Sequence, residues 1–153
     1  MYHELDRLLE TLADSVAGFE HVAGHVHQYG FYAFCERRAG DRARLLAALR
    51  QKAHALKGRS APHGTLLGSA HRLLLDLRTA LGMNEKAVIE ELVRGEAFLI
   101  HHIDQYLEAG HCPSEEVWDL VCAIRADVAR TLFELEGLLH PVPQSAARRS
   151  VRA

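Results

Sequence analysis

The sequence is poor in aromatic residues, which fill 7% of its 153 positions, while Leu and Ala are abundant. That balance argues against a sheet core and for helices packed on helices. It holds three cysteines, with no CxxC pair. An odd count at such spacings excludes a disulfide scaffold, so Cys35, Cys112 and Cys122 are expected as free thiols in a reducing cytoplasm. Basic excess is also missing: the net charge is -2 with neutral His, which gives nucleic acid nothing to follow. No apolar run reaches the length of a membrane span, and the first twenty residues, MYHELDRLLETLADSVAGFE, carry acids throughout, unlike a secretory leader. There is no glycine-rich phosphate loop, no strand-like alternation and no repeat. Ser69, His71 and Asp76 sit too close along one helix to line up as a nucleophilic triad, and no catalytic residue is expected.

Helical periodicity is what the sequence does contain, in five segments. The first runs from about Tyr2 to His27, with Leu5, Leu9, Leu12, Val16, Phe19 and Ala23 along one stripe. A break at Gln28–Gly30 precedes a second segment from Phe31 to Leu56. The breaker-rich KGRSAPHG (57–64) forms a loop. A shorter helix is expected over 65–81, and a fourth segment over 85–109 after a GMNE turn. In GHCPSEE (110–116), Gly110 stops one helix, Pro113 sits near the first turn of the next, and Glu115 and Glu116 favour its dipole. The last helix runs to about His140. Four helices of about 25 residues, each roughly 37 Å long, with short connections favour an antiparallel four-helix bundle. The expected fold is all-α: a bundle over residues 1–140, an additional short helix between the second and third long helices, and a flexible polar tail over 141–153.

Function should sit where the apolar pattern is broken. In VRGEAFLIHH (93–102), Glu96 shares its helix face with Leu92, Leu99, Ile100, Ile103 and Leu107, all within about 60°. A carboxylate facing a core must be paired, protonated or bound to a metal. On the second helix Arg42 sits at the stripe centre, with Arg38 one turn before it. On the first, Glu20 and His27 lie within about 40° of the Val16 stripe centre. The last helix has a clean stripe, broken only by Thr131 and, at its edge, Arg125. A carboxylate-bridged dimetal site in such a bundle takes a Glu from each of two helices and Glu-x-x-His from the other two. No Glu-x-x-His occurs in this chain.

The segments GSAHRLLLDLRTAL (68–81) and AVIEELVRGE (87–96), with LLETLADSVAGFEHVA (8–23) and AGDRARLLAAL (39–49), resemble a family of uncharacterised bacterial ferritin-like four-helix-bundle proteins. The resemblance covers most of residues 4–139. It implies descent from a diiron bundle within the superfamily that includes rubrerythrins. Gly95-Glu96 matches a Gly-Glu that supplies a ligand there. The first-helix ligand position matches Val16, the second-helix pair falls near Asp41 and Arg44, and the last-helix pair near Ala126 and Ala129. His71 matches a histidine of the family pattern, which implies a packing or hydrogen-bonding role against the bundle. Most of the diiron ligands are therefore gone, and a degenerate site remains.

Two readings of Glu96 follow. In the first, Arg42 and Glu96 form a buried bidentate pair where the metal used to be, and no cofactor is expected. In the second, Glu96, Glu20 and His27 hold one Fe, Mn or Zn ion with waters completing the shell. His21 and His25 have metal-clip spacing but point away from the stripe, onto a solvated face. The first reading predicts a non-enzymatic cytoplasmic protein that works by self-association or by binding a protein partner, with no nucleic acid or membrane involved. A homodimer is expected from the family analogy. The second predicts a metal-binding or oxidoreductase protein centred on Glu96.

Overall fold

The computed structural model describes residues 2–58 and 76–141. Four long helices account for most of them: α1 (Tyr2–Ala23), α2 (Tyr29–Lys57), α4 (Glu85–Glu108) and α5 (Glu115–Leu139). Residues 76–81 form a short helical segment, α3. The described residues contain no strand, so the fold is all-α. Among them, no helix is long and apolar enough to cross a membrane. Most of the short helix expected over 65–81, residues 59–64 of the KGRSAPHG loop and nearly all of the tail lie outside the described residues, while Lys57, expected in that loop, ends α2.

Helix ends follow local chemistry. The Asn84 side chain caps α4 by accepting from the Ala87 amide at 2.8 Å, and Ser114 caps α5 by accepting from Val117 at 3.2 Å. Gly110, at φ 66°, closes α4 in a conformation that only glycine adopts freely. The first helix ends earlier than its periodicity suggests. It stops at Ala23, where the His25 amide bonds back to Val22 at i−3 and the chain winds off through Gly24. The break therefore falls at residues 24–28. Gly30, which was expected to be part of it, is a solvent-exposed residue inside α2.

Each long helix packs on two others, in the cyclic order α1–α2–α5–α4. Lys57 at the end of α2 meets Asp6 at the start of α1. Lys52 meets Glu116 at 2.7 Å, and Arg125 meets Asp104 at 2.5 Å. These contacts make every neighbouring pair across them antiparallel. The interior divides into two apolar clusters. One gathers Leu5, Leu8, Leu12, Leu49, Ile103, Val117 and Val121. The other gathers Phe19, Val22, Phe31, Cys35, Val88, Leu92 and Leu135. Burial of these side chains, at about 25 cal/mol per Å² of apolar surface, drives the assembly. A layer of polar side chains lies where the two clusters meet.

Candidate functional site

Arg42 is the largest fully buried side chain among the described residues, with no exposed surface. A guanidinium has five N–H donors and no acceptor, and burial leaves none of them to water. All five find acceptors here. Nη1 donates to Glu96 Oε1 and to Ser15 Oγ, both at 2.5 Å. Nε and Nη2 donate to Asp127 Oδ2 at 3.1 and 3.0 Å, and Nη2 also donates to Thr131 Oγ1 at 3.3 Å. The acceptors come from the other three long helices: Ser15 from α1, Glu96 from α4, Asp127 and Thr131 from α5. The Phe19 ring lies 5.3 Å from the guanidinium carbon, close enough for a cation–π contribution.

The layer continues toward the α2–α5 side. Arg38 Nη1 stands 3.8 Å from Asp127 Oδ1, and Arg38 Nη2 donates to Asp41 at 3.2 Å. Asp41 also pairs with the exposed Arg44. Thr131 donates its own proton to the Asp127 carbonyl at 2.8 Å, one turn earlier on α5. On the other side, Ser15 donates to Glu96 Oε1 at 3.3 Å.

Charge is unevenly shared in this layer. Burial opposes the charged form of Arg42, but Glu96 and Asp127 outweigh it and hold its pKa above the ordinary value. Burial raises the Glu96 carboxyl above the usual carboxylate range; Arg42 pulls the other way, and the negative Asp127 adds to the rise. One guanidinium divided between two carboxylates cannot fully compensate either. Glu96 Oε2 is buried with no hydrogen-bond partner.

The sequence-based expectations meet this geometry unevenly. Arg42 and Glu96 are brought together, but not as a bidentate pair: the fork of the guanidinium goes to Asp127. The last helix does carry an inward carboxylate, contrary to the reading of its stripe as clean. Asp127 is 4% exposed, while Ala126, given by the resemblance as a ligand position, faces out. Glu20 and His27 do not join Glu96. Both are exposed, because Phe19 and Val22 fill the interior at the end of α1 and His27 lies past that helix. Among the described residues, no group of three or more His, Cys, Asp or Glu is placed to hold a metal ion. The His21 and His25 rings lie against each other at a tilt of 43°, with centroids 4.4 Å apart.

A cleft of about 530 Å³ opens between α1 and α4, and Ser15 and Glu96 lie in its wall. It gives the polar layer a route to solvent.

A protein-family model matches residues 1–109 of the chain. The chain belongs to that family, a domain of unknown function, DUF2383. No curated protein and no solved structure matches it. The DUF2383 span includes Ser15, Arg42 and Glu96, whereas Asp127 and Thr131 lie on α5, beyond it. Three of the four helices that build the polar layer are thus inside the domain, and the fourth adds the second carboxylate.

Proposed function

We propose that this chain is a ferritin-like four-helix bundle in which a guanidinium stands where a metal centre would be, and that it acts by binding and not by redox catalysis. The topology supports the bundle. α2 and α4 occupy opposite corners of the ring and run in the same direction. A single long crossover between the second and third long helices is the ferritin-like connection. Arg42 carries the functional reading. Its positive charge sits at the centre of the four helices, fully hydrogen-bonded to all the others. A divalent ion at that place would have to displace it or bear its repulsion at close range. The diiron chemistry of the superfamily does not fit these residues.

The second reading, a reduced metal site centred on Glu96, has one observation behind it, the unpartnered Oε2. Metal analysis decides between the two. Protein made without an affinity tag, from cells supplied with iron and manganese, should carry no stoichiometric metal by mass spectrometry. Its melting temperature should not move on chelation, since only a ligand bound to the folded state stabilises it by mass action. Near-stoichiometric Fe, Mn or Zn would overturn the proposal. The cytoplasmic, self-associating protein that the family analogy implies is part of the same reading, and sedimentation of the purified chain tests the homodimer.

A further inference from the structure

The cleft between α1 and α4 falls within the size range of small-molecule sites, at about 530 Å³. Phe19, Leu77, Leu92 and Leu99 give it apolar walls. At its inner side stands Glu96, whose side chain is 3% exposed and whose Oε2 has no donor. A carboxylate oxygen only accepts, and Arg42 has already placed all five of its N–H groups. Buried polar atoms are nearly always satisfied. A partner for Glu96 Oε2 has to bring its own N–H or O–H, and the cleft that Glu96 lines is the side from which one can come.

Charge selects between these two kinds of donor. Four carboxylates line the cleft, from Asp14, Asp76, Glu91 and Glu96, against two guanidinia, from Arg7 and Arg94. Arg94 and Glu91 pair with each other, which leaves three carboxylates against Arg7. Burial holds His102 below its ordinary pKa, which favours its neutral form. Behind Glu96, the charge of Arg42 is divided between two carboxylates. We infer that the α1–α4 cleft binds a small organic cation, a primary ammonium on a compact apolar body, with the ammonium donating to Glu96 Oε2 and the body lying against Phe19, Leu92 and Leu99. The inference rests on the metal-free reading of the Arg42 centre, because a metal would take up the same oxygen.

The test is a titration of the full chain at pH 7.5 with 2-phenylethylammonium, followed by amide chemical shifts. 2-Phenylethanol and 3-phenylpropionate serve as neutral and anionic counterparts of similar shape. The ammonium should saturate, with shifts centred on Ser15, Gly18, Gly95 and Leu99, and should bind at least about tenfold more tightly than the alcohol, roughly what one charge-assisted hydrogen bond supplies. The carboxylate should not bind. Glu96→Gln should abolish the preference for the ammonium. Because that variant disturbs the Arg42 layer, Thr11→Trp provides a second test: it fills the cleft from its wall, leaves the layer intact, and should remove binding at an unchanged melting temperature. Equal affinity for alcohol and ammonium, shifts elsewhere, no binding, or full binding by Thr11→Trp would each overturn the inference. Metal content measured on the same sample separates the two failures. Stoichiometric metal defeats the reading beneath the inference; metal-free protein that ignores the ammonium defeats the inference alone.

Discussion

Replacing Arg42 by Met keeps most of the side-chain volume and removes the charge. Two carboxylates, 3% and 4% exposed, then lose their hydrogen-bonded cation. Arg38, at 3.8 Å from Asp127, is the nearest remaining counter-charge of the layer, and it is shared with Asp41. Removing one partner of a buried ion pair costs about 3–5 kcal/mol. A domain of this size loses about 2–4 °C per kcal/mol, so the melting temperature should fall by roughly 6–20 °C. Urea denaturation at pH 7.5, monitored by circular dichroism, measures the loss directly.

Two controls give this prediction its force. The stranded carboxylates can escape by binding protons. Their folded-state pKa values in Arg42→Met stand above the unfolded ones, so the folded state holds more protons and the deficit is largest at high pH. It should shrink as the pH falls toward about 4. Second, Arg42→Met combined with Glu96→Leu and Asp127→Leu removes the charges together. Replacement of a whole buried ionic cluster by apolar side chains is often neutral or stabilising by about 1–4 kcal/mol. Ser15 and Thr131 can turn to their own helices, as Thr131 already does toward the Asp127 carbonyl. The triple variant should therefore recover most of the single variant's loss. A single-variant loss below about 1 kcal/mol, a loss independent of pH, or a triple variant as unstable as the single would refute the claim that Arg42 is held by mutual charge compensation.

Other expectations follow from the same geometry. Asp127→Asn should destabilise more than Glu96→Gln, by about 1 kcal/mol in urea, because Asp127 accepts two bonds from Arg42 and also faces Arg38, while Glu96 accepts one from Arg42 and one from the neutral Ser15. Asp14 is pushed up to about 6 from 3.8 by burial and by neighbouring Glu10. Its folded state thus holds the proton more tightly, and ionisation costs stability progressively from about pH 4 to about pH 6. With solvent screening at this half-buried position, the cost is about 1 kcal/mol, so Asp14→Asn should gain that much at pH 7.5 and nothing at pH 4. The Cys35 thiol is buried and pushed up to about 12. An aromatic disulfide reagent at pH 8 should modify Cys112 and Cys122 first and reach Cys35 only at the rate of unfolding. Lys52→Ala, which removes an exposed pair with Glu116, should change stability by less than about 0.5 kcal/mol.

How much of this was legible in the sequence depends on how many helices each residue's role involves. The helices themselves, and the inward orientation of Arg42 and Glu96, are properties of single segments, and a 3.6-residue period exposes them. Asp127 was harder. It flanks Val128, and in the stripe from Ile124 to Thr131 it reads as an edge residue. A resemblance carried over one position away, at Ala126, turns the wheel by about 100° and moves the site from the interior to the surface. Glu20 fails for a different reason. Its projected angle is near the stripe, but whether that angle means burial depends on what fills the interior at that level, and Phe19 and Val22 fill it. His27 fails because a helical angle has no meaning once the helix has ended at Ala23. A signal that would have found Asp127 was nevertheless present. A buried guanidinium needs an acceptor for each of five donors, and one glutamate with two oxygens cannot supply them. Placing Arg42 in the core therefore demands further acceptors at the same level on other helices, and within the stripe of α5 the carboxylate and hydroxyl of Asp127 and Thr131 are the side chains that can answer. Counting donors, where the periodicity stops, is what joins four separate helices into one site.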